Sequence, residues 1–130
     1  MFSIENLDHV AILVKNVEKS VQWYEQTLGL QRVLKDVWGN HPAMLFAGNT
    51  GIAIFQAKSS NLPIPEKTKF RRIDHFAFRV TPENFQKAQI HYQSLNQTFE
   101  YQNHIAYESI YTKDPDGHIV ELTMLKKQAK

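Results

Sequence analysis

The chain has no cysteine among its 130 residues, which excludes disulfides, thiolate metal sites and a thiol nucleophile and suits a reducing compartment. It also lacks any run approaching the ~18 consecutive apolar residues of a membrane-spanning helix. The opening MFSIENLDHVAILV carries Glu5 and Asp8 where a secretory leader would be basic, so it reads as a first strand. A cytoplasmic protein without a membrane partner is expected. Charge of one sign is scarce too, the net charge being +2. The basic residues gather at Lys67, Lys69, Arg71 and Arg72 and again at Lys126, Lys127 and Lys130. Neither group has the interleaved aromatics of a nucleic-acid surface, so both read as solvated segments and no nucleic-acid partner is expected. A glycine-rich phosphate loop and a Ser/His/Asp order are likewise missing.

What is present is the composition of a globular domain: 42% hydrophobic, 22% charged and 12% aromatic residues. At this length a chain removes roughly two-thirds of its unfolded surface from water, so neither a metal nor a cross-link is needed merely to hold it folded. A single domain over 1–130 is expected.

The chain repeats itself. Residues 7–14 read LDHVAILV and residues 73–80 read IDHFAFRV, with Asp8/Asp74, His9/His75, Ala11/Ala77 and Val14/Val80 identical. The same offset carries Gly51 onto Gly117, each before a β-rich run. Internal similarity of this kind marks two structural copies. In each, a helical segment follows the opening strand: Val17, Val21, Tyr24 and Leu28 share one face in the first, and Phe85, Ala88, Tyr92 and Leu95 in the second. Asn16 suits an N-cap, Thr81-Pro82 a helix start, and Gly29 a helix end. Three β segments should follow, near 31–37, 43–47 and 51–57 in the first copy and near 98–103, 106–113 and 118–125 in the second. Turns are expected at Gly39-Asn40, Gly48-Asn49 and Asp114-Pro115-Asp116-Gly117. Each copy is therefore βαβββ. Module one spans about 1–58 and module two about 71–126. Between them, about 59–70, Pro63 and Pro65 suit an extended linker.

The repeat gives the histidines meaning. A mid-strand histidine among apolar neighbours is a costly way to fill a core, because its ring nitrogens need partners. Two at equivalent positions are better explained by a shared ligand. Glu121, in HIVELTML, shares a strand face with Ile119 and Thr123, and a carboxylate in so apolar a run needs a cation or a hydrogen-bonding partner. Two imidazoles and one carboxylate form the facial set of non-haem Fe(II) sites, with Mn, Ni, Zn or Co as other occupants. In the first copy the position opposite Glu121 falls on Phe55 or Ala53, depending on how the turn is aligned. Neither is a ligand, so three protein ligands are expected: His9, His75 and Glu121. His41 reads as exposed, His118 as a turn residue facing away from Glu121, and Phe46, Phe55, Phe76 and Phe78 as mostly core. Trp23 and Tyr24 cannot both face inward.

Nearly the whole chain resembles the vicinal-oxygen-chelate superfamily through LDHVAILV, VEKSVQWYEQTLGL, IDHFAF and YTKDPDGHIVEL. That superfamily includes glyoxalase I, extradiol ring-cleavage dioxygenases, fosfomycin-resistance thiol transferases, methylmalonyl-CoA epimerase and metal-free bleomycin-resistance proteins. The resemblance implies an α+β fold whose two βαβββ modules form a curved, mainly antiparallel sheet around a central cleft, and it implies a homodimer. Glyoxalase I and the epimerase usually add a fourth ligand at the position held here by Ala53 or Phe55. Fosfomycin transferases carry a threonine two residues after the first ligand histidine, where this chain has Ala11, and a cation-binding loop that is not evident here. The extradiol signature is matched in most detail: His104, a short spacer, Ile110-Tyr111, the Asp114-Pro115-Asp116-Gly117 turn and Glu121, with a departure at Gln102. By that resemblance His104 would serve as acid/base and Tyr111 would hydrogen-bond a substrate oxygen.

The expected function is a divalent-metal-dependent enzyme, Fe(II) favoured, acting on a small substrate chelated through neighbouring oxygens. Extradiol-type oxygenation stands ahead of lyase, isomerase or thiol-transfer chemistry. The competing class is a metal-free small-molecule-binding resistance protein.

Overall fold

The computed structural model describes residues 1–58 and 72–126. The expected linker, with Pro63, Pro65, Lys67 and Lys69, lies outside the described residues, as do Arg71 and the tail residues Lys127 and Lys130. The chain divides into two compact units, Met1–Pro63 and Ile64–Lys130.

Unit 1 opens with β1 (His9–Val14), α1 (Val17–Leu28) and β2 (Gln31–Val33), continues through the short α2 (Lys35–Trp38), and ends with β3 (Ala43–Ala47) and β4 (Thr50–Gln56). Its open sheet has the order β1-β4-β3-β2, with β1 parallel to β4 and the other pairs antiparallel. Asn16 caps α1 by accepting from the Lys19 N–H at 3.0 Å, and Gly29, at φ 67°, ends it in the left-handed region that glycine enters at no steric cost. Val17, Val21 and Tyr24 are buried as their spacing implies, and Leu28 is half-buried. They cover the sheet face that carries Ile12, Val14, Leu45, Ile52 and Ile54, all buried. Each fully buried aliphatic side chain of this kind contributes about 1.5–3 kcal/mol. Tyr24 is buried while Trp23 beside it is half-buried, as adjacent helical positions require.

Unit 2 repeats the order with β5 (Phe76–Arg79), α3 (Pro82–Ser94), β6 (Glu100–Asn103), β7 (Tyr107–Lys113) and β8 (Ile119–Leu125). Its sheet order, β5-β8-β7-β6, and its pairing directions match those of unit 1. Thr81 caps α3 by accepting from the Asn84 N–H at 3.1 Å, with Pro82 opening the helix. Phe85 and Tyr92 bury against the face carrying Ile110, Val120, Leu122 and Met124. Both units are therefore βαβββ, the α+β class expected, with two of the three strand pairings in each sheet antiparallel.

Three expectations need correction, and one alternative left open by the sequence is decided. The strand expected over 31–37 stops at Val33, because Leu34 turns left-handed at φ 60° and starts the one-turn α2. Leu95 is 42% exposed and lies past the end of α3. The four phenylalanines assigned mostly to the core are not buried: Phe55 is exposed, and Phe46, Phe76 and Phe78 are half-buried. The aromatic core is instead Tyr24, Phe85 and Tyr92. Finally, the register decides the position that corresponds to Glu121. Ala11 faces Ala53 and Ala77 faces Glu121, so Ala53 holds that place and Phe55 does not. No helix among the described residues is long and apolar enough to cross a membrane.

Candidate metal centre

Helix α3 takes one face of the unit 2 sheet, and strand alternation leaves the other face polar. On that second face lie Arg79, Glu121, Thr123, Ser109, Tyr111 and Glu100, with Glu121 between Ala77 on one side and Tyr111 on the other. Glu121 is only 7% exposed. Its Oε1 stands 2.9 Å from His75 Nε2. His75 Nδ1 in turn stands 2.7 Å from Asp74 Oδ2, so both ring nitrogens face a carboxylate.

Tyr111 joins this pair to His104. Its ring meets that of His75 edge to face, with centroids 5.6 Å apart, and its hydroxyl is 2.9 Å from His104 Nε2. Burial pushes the Tyr111 phenol up, the charge and hydrogen bond of Glu121 and the charge of Asp74 push the same way, and the Ser109 hydrogen bond opposes them. The phenol is thus held protonated, as a hydrogen-bond donor. His104 follows β6, where its backbone N–H donates to the Tyr107 carbonyl at 2.8 Å. Asn103 Oδ1 accepts from the Ile105 N–H at 3.0 Å and from Lys126 Nζ at 2.7 Å, which fixes the loop carrying the imidazole. A cavity of about 640 Å³ opens beside these groups, lined in part by Asp74, His75, Glu100, Gln102, Tyr111 and Lys113.

Unit 1 presents a different surface. The face of its sheet that carries His9 also carries Ala11, Leu13, Val33, Met44, Phe46, Ala53 and Phe55, with Gln31 at its far edge. His9 lies opposite Gly51, and its Nδ1 is 2.7 Å from Asp8 Oδ2.

Of the residues singled out by sequence, His75, Glu121, Tyr111 and His104 gather in unit 2, and His9 belongs to unit 1. His41 is exposed. His118 Nδ1 is 2.9 Å from Asp114 Oδ2 in the turn before β8, away from Glu121. Sequence reasoning registered Asp8 and Asp74 as repeat identities but gave them no role. Among the described residues, no group of three or more His, Asp or Glu side chains is arranged to hold a metal ion.

The donor pair in unit 2 fits a cation. With Nδ1 donating to Asp74, Nε2 and the Glu121 oxygen turn lone pairs toward one another at 2.9 Å, an arrangement that needs a proton or a metal ion between them. An imidazole and a carboxylate are the ligand types that suit the first-row divalent ions.

Residues 6–122 match the Glyoxalase/Bleomycin resistance protein/Dioxygenase superfamily. The chain belongs to that superfamily. Among its curated relatives, the glutathione transferase FosA of Serratia marcescens is 29% identical over 119 residues, covering 92% of this chain and 80% of the relative. The metallothiol transferase FosB of Staphylococcus epidermidis is 30% identical over 123 residues, covering 92% and 81%. Among solved structures, a glyoxalase/dioxygenase from Nostoc punctiforme superposes with a TM-score of 0.78 at 20% identity, covering 98% of this chain and 99% of that one. The fosfomycin resistance protein FosX of Mesorhizobium loti gives 0.66 at 23% identity, covering 94% and 93%. Both structures share the α+β fold of this chain.

Proposed function

We propose that this superfamily member is a divalent-metal-dependent enzyme acting on a small substrate that chelates the ion through neighbouring oxygens. His75 and Glu121 would supply two ligands and His9 the third. The observation that carries the reading is the 2.9 Å approach of His75 Nε2 to the buried Glu121 carboxylate on the polar face of the unit 2 sheet. When bound, the metal would act as a Lewis acid that stabilises negative charge developing on a substrate oxygen. Tyr111, held protonated, would donate a hydrogen bond to a substrate oxygen. His104, 2.9 Å from the Tyr111 hydroxyl, would exchange a proton with the substrate.

For the reaction type, thiol transfer is favoured by the two transferase relatives at 29% and 30% identity. Ala11, which provides no hydroxyl beside His9, argues for a substrate other than fosfomycin itself. Extradiol cleavage is the second reading, supported by the His104–Tyr111 pair. Fe(II) remains the favoured ion for the two-imidazole, one-carboxylate set, with Mn, Ni, Zn and Co as alternatives. The remainder of the proposal is a single-domain cytoplasmic homodimer with a small-molecule substrate.

Metal analysis of the purified chain after reconstitution tests the core of this reading. We expect one divalent ion per chain in the wild type and loss of that stoichiometry in His75→Ala and Glu121→Ala. A wild type that binds no stoichiometric metal would leave the metal-free binding class standing. The loaded protein is then assayed for thiol consumption with glutathione and electrophilic substrates, and for oxygen uptake with catechols. Whichever assay responds selects between the two reaction types.

A further inference from the structure

We infer that Asp8 and Asp74 are paired positioning residues that orient the two histidines toward a metal, an inference that rests on the metal reading above. These pairs stand at the strand entries, Asp8 just ahead of β1 and Asp74-His75 just ahead of β5, where extended backbone would by default turn adjacent side chains to opposite sides. Here a hydrogen bond between residues i and i+1 occurs twice, at repeat-equivalent places and at the same distance: Asp8 Oδ2 to His9 Nδ1 at 2.7 Å, and Asp74 Oδ2 to His75 Nδ1 at 2.7 Å.

Both aspartates stand at the entry to their strands. Asp8 is fixed there by its own backbone, whose carbonyl accepts from the Gly51 N–H at 3.0 Å, while Thr50 Oγ1 donates to the neighbouring Leu7 carbonyl at 2.6 Å. A carboxylate accepting from Nδ1–H selects the tautomer whose lone pair is on Nε2 and fixes the ring plane. The direction agrees with the site, because Nε2 is the nitrogen of His75 that meets Glu121. Each carboxylate also sets negative charge beside its own imidazole, which raises the basicity of that ring's Nε2. Asp8 and Asp74 are 69% and 43% exposed in their side chains, so truncating them should cost the fold little, and an effect on metal affinity would report their action on the histidines.

The test uses the full-length protein and Zn(II), a diamagnetic probe. Calorimetric titration of wild type, Asp8→Ala, Asp74→Ala and the double variant should give affinities lower by about ten- to a hundredfold for each single change. The unfolding midpoint of the metal-free protein should stay near that of wild type. Asp8→Asn and Asp74→Asn keep an acceptor oxygen without the charge and should recover part of the loss. In parallel, ¹⁵N-histidine spectra of the Zn(II)-loaded protein should show a slowly exchanging proton on Nδ1 of His9 and His75, lost or fast in the alanine variants. Wild-type binding with unchanged affinity and unchanged Nδ1 protons in the alanine variants would overturn the inference and leave the metal reading intact. Absence of Zn(II) binding in the wild type would overturn both.

Discussion

At the residue scale, the ligand candidates were legible because the sequence places a histidine at the same position of two copies and a carboxylate where strand alternation demands an apolar or partnered residue. The role of Asp8 and Asp74 was not legible. A carboxylate beside a histidine ordinarily points to the opposite strand face, and only the coordinates bring the two groups within 2.7 Å. His118 was rightly separated from Glu121 by alternation, and the structure gives it another occupation. Asp114, buried in the turn, accepts from the Asp116 and His118 N–H groups at 2.9 Å each and meets the His118 ring at the same distance. The Asp114 hydrogen bond pushes the His118 imidazole up, partial burial opposes this, the charges of Asp114 and Asp116 assist, and Arg72 opposes. A raised folded-state value means the protonated ring stabilises the fold fully below its unfolded value of about 6.5, and that contribution is lost as pH rises through the folded value. Urea unfolding of wild type and His118→Asn between pH 5 and 9 should therefore show a stability gap that is widest in acid and narrows toward alkaline pH. A gap that stays constant would mean that the ring packs in the turn without using its charge.

At the element scale, caps and turns were read well because they are decided locally. Asn16, Thr81-Pro82, Gly29 and the Asp114–Gly117 turn each act within a few residues of themselves. The miss over 34–37 is of a different kind. RVLKDVW has the β-branched and apolar content of a strand, yet Leu34 at φ 60° accepts from the Val37 and Trp38 N–H groups at 3.0 Å each, which converts the second half into α2. Composition alone does not reveal such a reversal at a leucine, where the left-handed region is sterically disfavoured. Pairing register is a further property that sequence left open, and it shows how tightly β3 and β4 are joined. A Cβ added to Gly51 would run into the Leu45 carbonyl oxygen and into Phe46, including its backbone Cα. Backbone cannot yield as a side-chain tip does, so Gly51→Ala should lower stability by about 1–3 kcal/mol, measurable as a reduced urea midpoint. Because His9 is the register partner of Gly51, the same variant should weaken metal binding in excess of what the stability loss predicts for the folded fraction.

At the scale of the whole molecule, the repeat carried most of the fold. Two copies of one βαβββ order appear as two open sheets of matching strand order, and what differs between them is chemistry. One copy keeps a single histidine on an apolar face, whereas the other surrounds its histidine with carboxylate, phenol and hydroxyl groups. That difference stays hidden until the register identifies Ala53 with Glu121 and, through the next strand, Met44 with Tyr111. In both sheets the histidine-bearing strand, or the one that directly follows the histidine, is outermost. The Asp8 carbonyl accepts from the Gly51 N–H of β4, the Val14 carbonyl accepts from the Ala57 N–H just after β4, and the Val80 N–H donates to the Thr123 carbonyl of β8, so alternate residues carry the pairing. The amides of His9, Ala11 and Leu13, and those of Ala77 and Arg79, therefore turn outward from their own sheets. Their hydrogens are a clock for whatever happens at that edge: deuterium should enter them within the dead time of mixing if water reaches the edge, and hours later if a second strand is seated there.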